Sequence, residues 1–408
     1  ARTCDETNRI GVIATKATTL NTVFTAFSGS VIWIVIPVLA IGAALSKTGL
    51  LRRVVLAILS KFKGNFKSQT LGFLIAGNLI DALIPSATAK VAIAAPLART
   101  YSDTMGYKQN SKPAAGMFSA MWMGFGANGP FFLTGTTMCF TMIGLLPEGY
   151  QDGFDFLHWL GVAWPWGLVL LVLSYIAIRA FYTPENDETV STEFIHEQRA
   201  ALGKMSRDEK KTLVLALLAL VAFISEPWHG IPGYFAFCSM VLLGFTPIFN
   251  LMEASDLKKV QFPILFFIAG CMAIGIVAGT LGIPAWLAGK LVPYLQQIDS
   301  NAGSSMFAYW VGVVANLVLT PVAAATSLSV PMAEIATSLN LGIKPILYSF
   351  LYGLDQFFLP YELAPALIMF ATGYVRVRYL IGIMLTRMVL ASLIVAFVAT
   401  FIWPMMNL

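Results

Sequence analysis

The sequence predicts an all-α polytopic membrane protein built as an inverted repeat, with two re-entrant hairpins and two broken helices. Three observations carry this. The 408 residues are 57% hydrophobic and only 12% charged, with a mean hydropathy of +0.75, where soluble domains hold roughly 45–50% apolar and about 25% charged residues. The apolar stretches run on for the length of a bilayer crossing instead of alternating, which favours helices over a barrel. The order of parts in the first half recurs in the second. The four cysteines, Cys4, Cys139, Cys238 and Cys271, lack metal-ligand spacing, and three lie inside apolar runs as small hydrophobes. The net charge of +5 calls for no nucleic acid, because the basic residues sit at span ends. Residues 1–20 are polar and lack the apolar core of a signal peptide.

A crossing needs ~20 apolar residues, and roughly ten such stretches fit this length. Residues 1–27 form an N-terminal segment, and 28–47 the first span. Residues 49–67 repeat apolar positions at helical spacing and carry five Lys/Arg with no acid, so they read as a helix lying in the interface. Residues 68–100 divide into two arms around Pro85-Ser86-Ala87-Thr88. Each arm is short for ~30 Å of hydrocarbon, which predicts a re-entrant hairpin with its tip near the midplane. Residues 111–147 form a broken span, interrupted at Asn128-Gly129-Pro130 and at Thr134-Gly135-Thr136-Thr137. Residues 156–182 cross back and close a first repeat over 28–182.

A polar linker (183–211) follows, then two scaffold spans within 212–249. The second repeat, 262–405, contains a span (262–282), an interfacial piece (284–298), a hairpin (303–338) around Pro321, a broken span (344–373) and a closing span (379–405). With 49–67 placed inside, the loops 99–112, 183–211, 250–261 and 374–378 also fall inside, and together these segments hold 17 of the 26 Lys/Arg. The opposite loop 148–155 has three acids and no base. This asymmetry follows the positive-inside rule only if both hairpins return to the side they came from. The linker is therefore cytoplasmic.

The halves also match in detail. Ala40-Ile41-Gly42 and Gly49 correspond to Ala273-Ile274-Gly275 and Gly282 at an offset of 233, and Pro96 corresponds to Pro331 at 235. The first repeat starts outside and the second inside. Inverted repeats of this kind build alternating-access transporters, with the site where hairpin tips and helix breaks meet.

The breaks offer hydroxyls from Ser86, Thr88, Thr134, Thr136 and Thr137, together with free amides at helix starts, which suit a carboxylate or similar anion. Bonding of these hydroxyls back to helix carbonyls is the structural alternative. Lys90 follows the first tip with no other charge within eight residues. An intramembrane cation costs ~2.5–3.5 kcal/mol on insertion scales and usually faces a cavity and a partner, unless it snorkels to the interface. At the tip it would attract an anion or repel a sodium ion. Four acids are embedded as well. They are Asp81, Glu334, Asp355 and Glu362: Glu362 is a candidate partner for Lys90 or a proton carrier, and Asp81 and Asp355 read as structural partners of neighbouring residues. Lys290 and Arg387 read as interfacial or packing residues. His158, His196 and His229 lie near loops. No nucleophile–base set, metal cluster or phosphate loop can be written, so an enzyme is not expected.

At this point the segments AFSGSVIWIVIPVLAIGAALSKTGLLRR (26–53), IPSATAKVAIAAPLAR (84–99), FFLTGTTM (131–138) and MSRDEK (205–210) resemble the divalent anion/sodium symporter family. The likeness covers roughly residues 25–408 and is strongest to its exchanger branch, the citrate/succinate antiporters and plastid 2-oxoglutarate/malate translocators. It implies a homodimeric elevator-type transporter of di- and tricarboxylates, in an inner membrane if bacterial. The family's hairpin motif, Ser-Asn-Thr, reads here Ser86-Ala87-Thr88, and these residues, with Thr134-Gly135-Thr136-Thr137, would contact substrate carboxylate. A basic residue two positions after the Thr is an exchanger trait, and Lys90 stands there. It implies a cation in place of bound sodium, hence sodium-independent exchange with no cofactor. The second half departs from the family. Its motif position reads Pro321-Val322-Ala323, with Ala325-Thr326-Ser327 as the nearest polar alternative, and its break reads Pro360-Tyr361-Glu362. Family members carry further helices ahead of residue 25, so the sequence is expected to lack its N-terminal helices. A sodium- or proton-coupled symporter and a non-transporting membrane scaffold or receptor remain the alternatives.

Overall fold

A computed structural model describes residues 19, 21, 30–84, 86–187, 189, 193–231, 233–257, 262–282, 286, 289, 300–357, 359 and 361–408. Apart from single residues, the N-terminal segment 1–27 and the interfacial piece expected at 284–298, with Lys290, lie outside them. The described chain is helical, with no strand among the described residues.

α1 (Ser30–Thr48) passes through left-handed Gly49 into α2 (Leu50–Leu59), which buries Leu50, Leu51, Val55, Leu56 and Leu59 on one face. α3 (Phe66–Asp81) and α4 (Ala87–Thr104) follow in succession and both pack against α5 (Lys112–Phe125), which with α6 (Thr137–Leu145) forms the first interrupted helix, with a 3-10 turn at Gly129–Phe131 between them. α7 (Phe156–Tyr182) closes this half. The polar linker holds α8 (Glu193–Ala201), which packs on α2. α9 (Arg207–Ile224), α10 (Gly233–Phe245) and α11 (Phe262–Thr280) follow. α12 (Asn301–Val318) and α13 (Pro321–Ser338) make the second hairpin pair. α14 (Ile343–Leu354) and α15 (Ala364–Ala371) make the second interrupted helix, before α16 (Val377–Phe397), which runs on through a π-helical turn, Val398–Ile402.

The helix starts follow local chemistry. The first N–H groups of a helix lack partners within it, and Ser, Thr, Asn or Asp at the cap accepts one of them. Asn65, Ser86, Ser111, Thr136, Asp155, Ser206, Ser300 and Thr320 each do this. Among the described residues two helices are long and apolar enough to cross a membrane by length and composition, Phe156–Tyr182 and Val377–Ile402. Most of the other apolar stretches are divided by breaks, and the pieces are short helices.

Packing fixes where the breaks sit. α3 lies against α5, and α12 against α14, as the two most extensive helix contacts. Both pairs meet backbone to backbone. A Cβ on Gly77 would stand 2.1 Å from the Gly124 carbonyl carbon, and one on Gly353 2.0 Å from the Tyr309 carbonyl oxygen. Between apolar helices in lipid, association rests on such close approach, because burial from lipid yields no hydrophobic gain. The halves then interlock crosswise: α6 packs against α13, and α15 against α4. The two breaks meet directly, the Asn128 N–H donating to Asp355 Oδ2 at 2.7 Å.

Candidate functional site

The end of α3 and the break 126–136 are joined by a direct bond. Thr134 Oγ1 donates to the Ala82 carbonyl at 2.8 Å. Ser86 caps α4 by accepting from the Ala89 N–H at 3.3 Å, and Thr136 caps α6 by accepting from the Met138 N–H at 3.4 Å. Two helix N-termini thus lie at one junction, each with the partial positive charge and free N–H groups that favour an anion. The break folds back on itself: a Cβ on Gly135 would stand 2.2 Å from the Gly129 carbonyl oxygen, so only glycine fits there. Trp159 Nε1, from α7, donates to the Pro130 carbonyl at 2.9 Å and anchors the fold-back.

Lys90 lies directly beneath this junction and is only 2% exposed. Its ammonium pairs with Asp81 Oδ1 across the hairpin and lies 3.5 Å from the Gly135 carbonyl oxygen. Asp81, at the end of α3, is fully buried, and its second oxygen has no hydrogen-bond partner. Glu362 is the acid that the sequence suggests as a partner for Lys90. It is buried at the second break, and its Oε1 accepts the Leu359 N–H at 3.2 Å.

The remaining site residues fall into two groups. Ala87 is half-buried and Thr88 exposed on the first turn of α4, and Thr137 is half-buried at the start of α6. These share the junction with Ser86, Thr134, Gly135 and Thr136. In the second half, Ala325 and Thr326 are buried inside α13, with Ser327 half-buried beside them. Thr326 Oγ1 donates back to the Val322 and Ala323 carbonyls at 3.0 and 2.8 Å, the helix back-bonding open to any buried threonine. Tyr361 is exposed at the second break.

The residue that starts the second hairpin's inner arm is Thr320, whose hydroxyl accepts the Ala323 N–H at 3.3 Å. It stands where Ser86 stands in the first half. The offset between them is 234, between the 233 and 235 read from the sequence, whereas counting back from Pro331 had put the motif one residue later. Thr320 and the Thr-Pro pair it makes with Pro321 were therefore missed, although such a pair is an ordinary helix start. Also missed were two buried amides, Asn78 of α3, which accepts from Asn128, and Gln356 beside Asp355, since single amides in apolar runs carry no spacing signal.

The chain matches the profile of the sodium:sulfate symporter transmembrane region over residues 7–408. The chain belongs to that family. It is the divalent anion/sodium symporter family that the hairpin and first break resembled, and the protein is therefore an integral membrane transporter and not an enzyme. Among relatives, the L-tartrate/succinate antiporter of Escherichia coli strain 536 is 24% identical over 88% of this chain and 75% of its own length. A "Membrane protein" of Cupriavidus necator is 25% identical over 49% of this chain, and the match spans 39% of that protein. The crystal structure of the Alcanivorax borkumensis YdaH transporter shares the fold, with a TM-score of 0.64 at 16% identity, covering 93% of this chain and 86% of that one.

Proposed function

We propose that this transporter exchanges di- and tricarboxylate anions of the succinate, malate and 2-oxoglutarate class across a membrane, without sodium. The observation that carries the reading is the seat of Lys90. Its ammonium is held by a buried carboxylate and faces a main-chain carbonyl at the helix break, the kind of oxygen set that a hard alkali cation takes. A tethered cation there leaves a free sodium ion nothing to neutralise. The two helix N-termini above it, capped by Ser86 and Thr136, are left to receive carboxylates, with Ala87, Thr88, Thr134, Gly135 and Thr137 around them. Ala325, Thr326 and Ser327 on α13, and Tyr361 and Glu362 at the second break, are the second half's contribution. The naming of E. coli relatives as L-tartrate/succinate antiporters supports the substrate class and the exchange mode.

In this reading the chain is organised as the inverted repeat. The pairs α3/α4 and α12/α13 act as re-entrant hairpins, and with the interrupted helices they form the moving domain of an elevator. The other spans, α2 and the linker form a homodimeric scaffold, in the inner membrane of a bacterial host.

Counterflow in proteoliposomes tests this. Liposomes loaded with unlabelled succinate, malate or 2-oxoglutarate are offered labelled succinate in sodium and then in potassium. Uptake that requires the internal anion and ignores sodium is the expected result, and Lys90→Ala is expected to weaken it and to bring sodium stimulation. Uptake that needs sodium in the parent protein, or an unaltered Lys90→Ala variant, overturns the role given to Lys90. Uptake that follows a proton gradient and vanishes in Glu362→Gln replaces exchange by proton symport.

A further inference from the structure

The first break is held in shape by the second half of the chain. Asn128, in the segment after α5, adopts φ 78°, a left-handed conformation that residues with a Cβ rarely take, although Asn tolerates it best. Its side chain is tied within its own half: Nδ2 donates to Asn78 Oδ1 of α3 at 2.6 Å. Its backbone is tied across the molecule. The Asn128 N–H donates at 2.7 Å to Oδ2 of Asp355, the residue that ends α14.

Asp355 is itself fixed. Arg387 of α16 donates from Nη2 to the same Oδ2 at 2.8 Å, and from Nη1 to the Asp355 carbonyl at 2.9 Å and to Gln356 Oε1 at 2.7 Å. Asn316 of α12 donates to the Gln356 carbonyl at 2.9 Å. Asn128, Asp355, Gln356 and Arg387 are each at most 3% exposed. In such a setting a hydrogen bond to a charged acceptor is strong, and an orphaned N–H is costly. The segment that Asn128 begins runs straight into Thr134, Gly135 and Thr136.

We propose that Asp355, oriented by Arg387, is a positioning residue for the substrate segment 129–136 of the opposite half. By accepting the Asn128 N–H it holds the left-handed residue that sets where that segment lies, so the first half's site is shaped from the second. This rests on the reading of 129–136 as part of the substrate site. Asp355 touches no substrate in this scheme and acts through Asn128.

The obvious variant, Asp355→Ala, strands a buried arginine and would report mainly on folding. Two charge-neutral pairs avoid this. Asp355→Asn/Arg387→Met keeps a side-chain oxygen at 355, and Asp355→Leu/Arg387→Met keeps only the shape. Both are compared in succinate counterflow and in hydrogen–deuterium exchange of the full-length protein in detergent. The Leu pair is expected to show a KM at least about tenfold above that of the Asn pair, a smaller difference in maximal rate, and faster exchange confined to peptides covering 127–137. A purely structural role would lower yield and rate in both pairs alike, without a split in KM. Equal KM in the two pairs overturns the proposal, and so does equal protection over 127–137. If the parent protein carries no dicarboxylate, the function proposed above fails, and the exchange comparison alone then decides whether Asp355 holds Asn128 in place.

Discussion

Lys90 and Asp81 are buried as an ion pair, so each depends on the other's charge. Removing one partner of such a pair leaves an uncompensated buried charge, which costs about 3–5 kcal/mol, while replacing both by apolar groups of like size is often neutral. Lys90→Ala is therefore expected to lower the melting temperature sharply in detergent, and Lys90→Met/Asp81→Leu to recover most of the loss. Equal destabilisation by single and double variants would show that the two side chains are not coupled. The isolation of Lys90 in an apolar run made it legible as a special residue. Its partner was not legible, because positions 81 and 90 share no helix face. Only the seating of the end of α3 beside the start of α4 brings them together. The same holds for Asp355 and Arg387, separated by 32 residues: Asp355 reads as an embedded acid and Arg387 as an interfacial or packing residue, and only the tertiary fold says which carboxylate the cation meets.

Two kinds of joint hold the elements. The first is the glycine contact between α3 and α5, repeated between α12 and α14. Gly77→Ala would drive a methyl into the Gly124 backbone and should destabilise by about 1–3 kcal/mol, as overpacking does. Gly42→Ala, where a Cβ would meet nothing within 4 Å, should instead stabilise slightly, since alanine favours a helix over glycine by up to ~1 kcal/mol. Thermal melting of the two variants separates a tight joint from an ordinary helical glycine. The second joint fixes the amphipathic α2 to the start of α9. Arg53 Nε donates to Glu209 Oε1 at 2.7 Å and Nη2 to Oε2 at 3.0 Å, and Nη1 and Nη2 reach the Gly203 and Leu202 carbonyls. Glu209 also completes a capping box with Ser206. The Arg53 hydrogen bonds, helped by the Ser206 N–H, hold the Glu209 carboxyl below its ordinary value of 4.5. A carboxyl with a lowered folded value stabilises above its unfolded value and loses that contribution as pH falls through the folded one. The gap in stability between the parent and Glu209→Gln should thus be present near about pH 6 and close below about pH 4.5. A gap that stays constant through that range would mean Glu209 is not ionised by Arg53. At this scale the sequence was readable wherever a helix began: Ser206 to Glu209 is a capping box in plain view. It was misread by one residue at the second hairpin, where a matched proline set the register and the capping Thr320 was passed over.

Across the whole molecule, composition and apolar run length sufficed for a helical membrane protein. What no one-dimensional pattern displays is the crosswise seating of α6 on α13 and of α15 on α4, since contacts between halves leave no periodicity. It follows that neither half is closed without the other. Separate expression of residues 1–192 or 193–408 should give unstable material, and co-expression of the two should yield a complex that purifies together. Stable, monodisperse halves would contradict the interlock. The same seating has a bearing on biogenesis. As the chain leaves the ribosome, α4 and α6 enter the bilayer long before α13 and α15 have been made. The polar ends at this junction, with Lys90 on α4 and Asp81 at the end of the preceding α3, must wait within lipid or in the care of the insertion machinery. The last stretch to be synthesised then slots between parts already laid down. Assembly of this transporter is thus a late event in translation, and a ribosome stalled ahead of residue 364 would leave its first half inserted but unfinished.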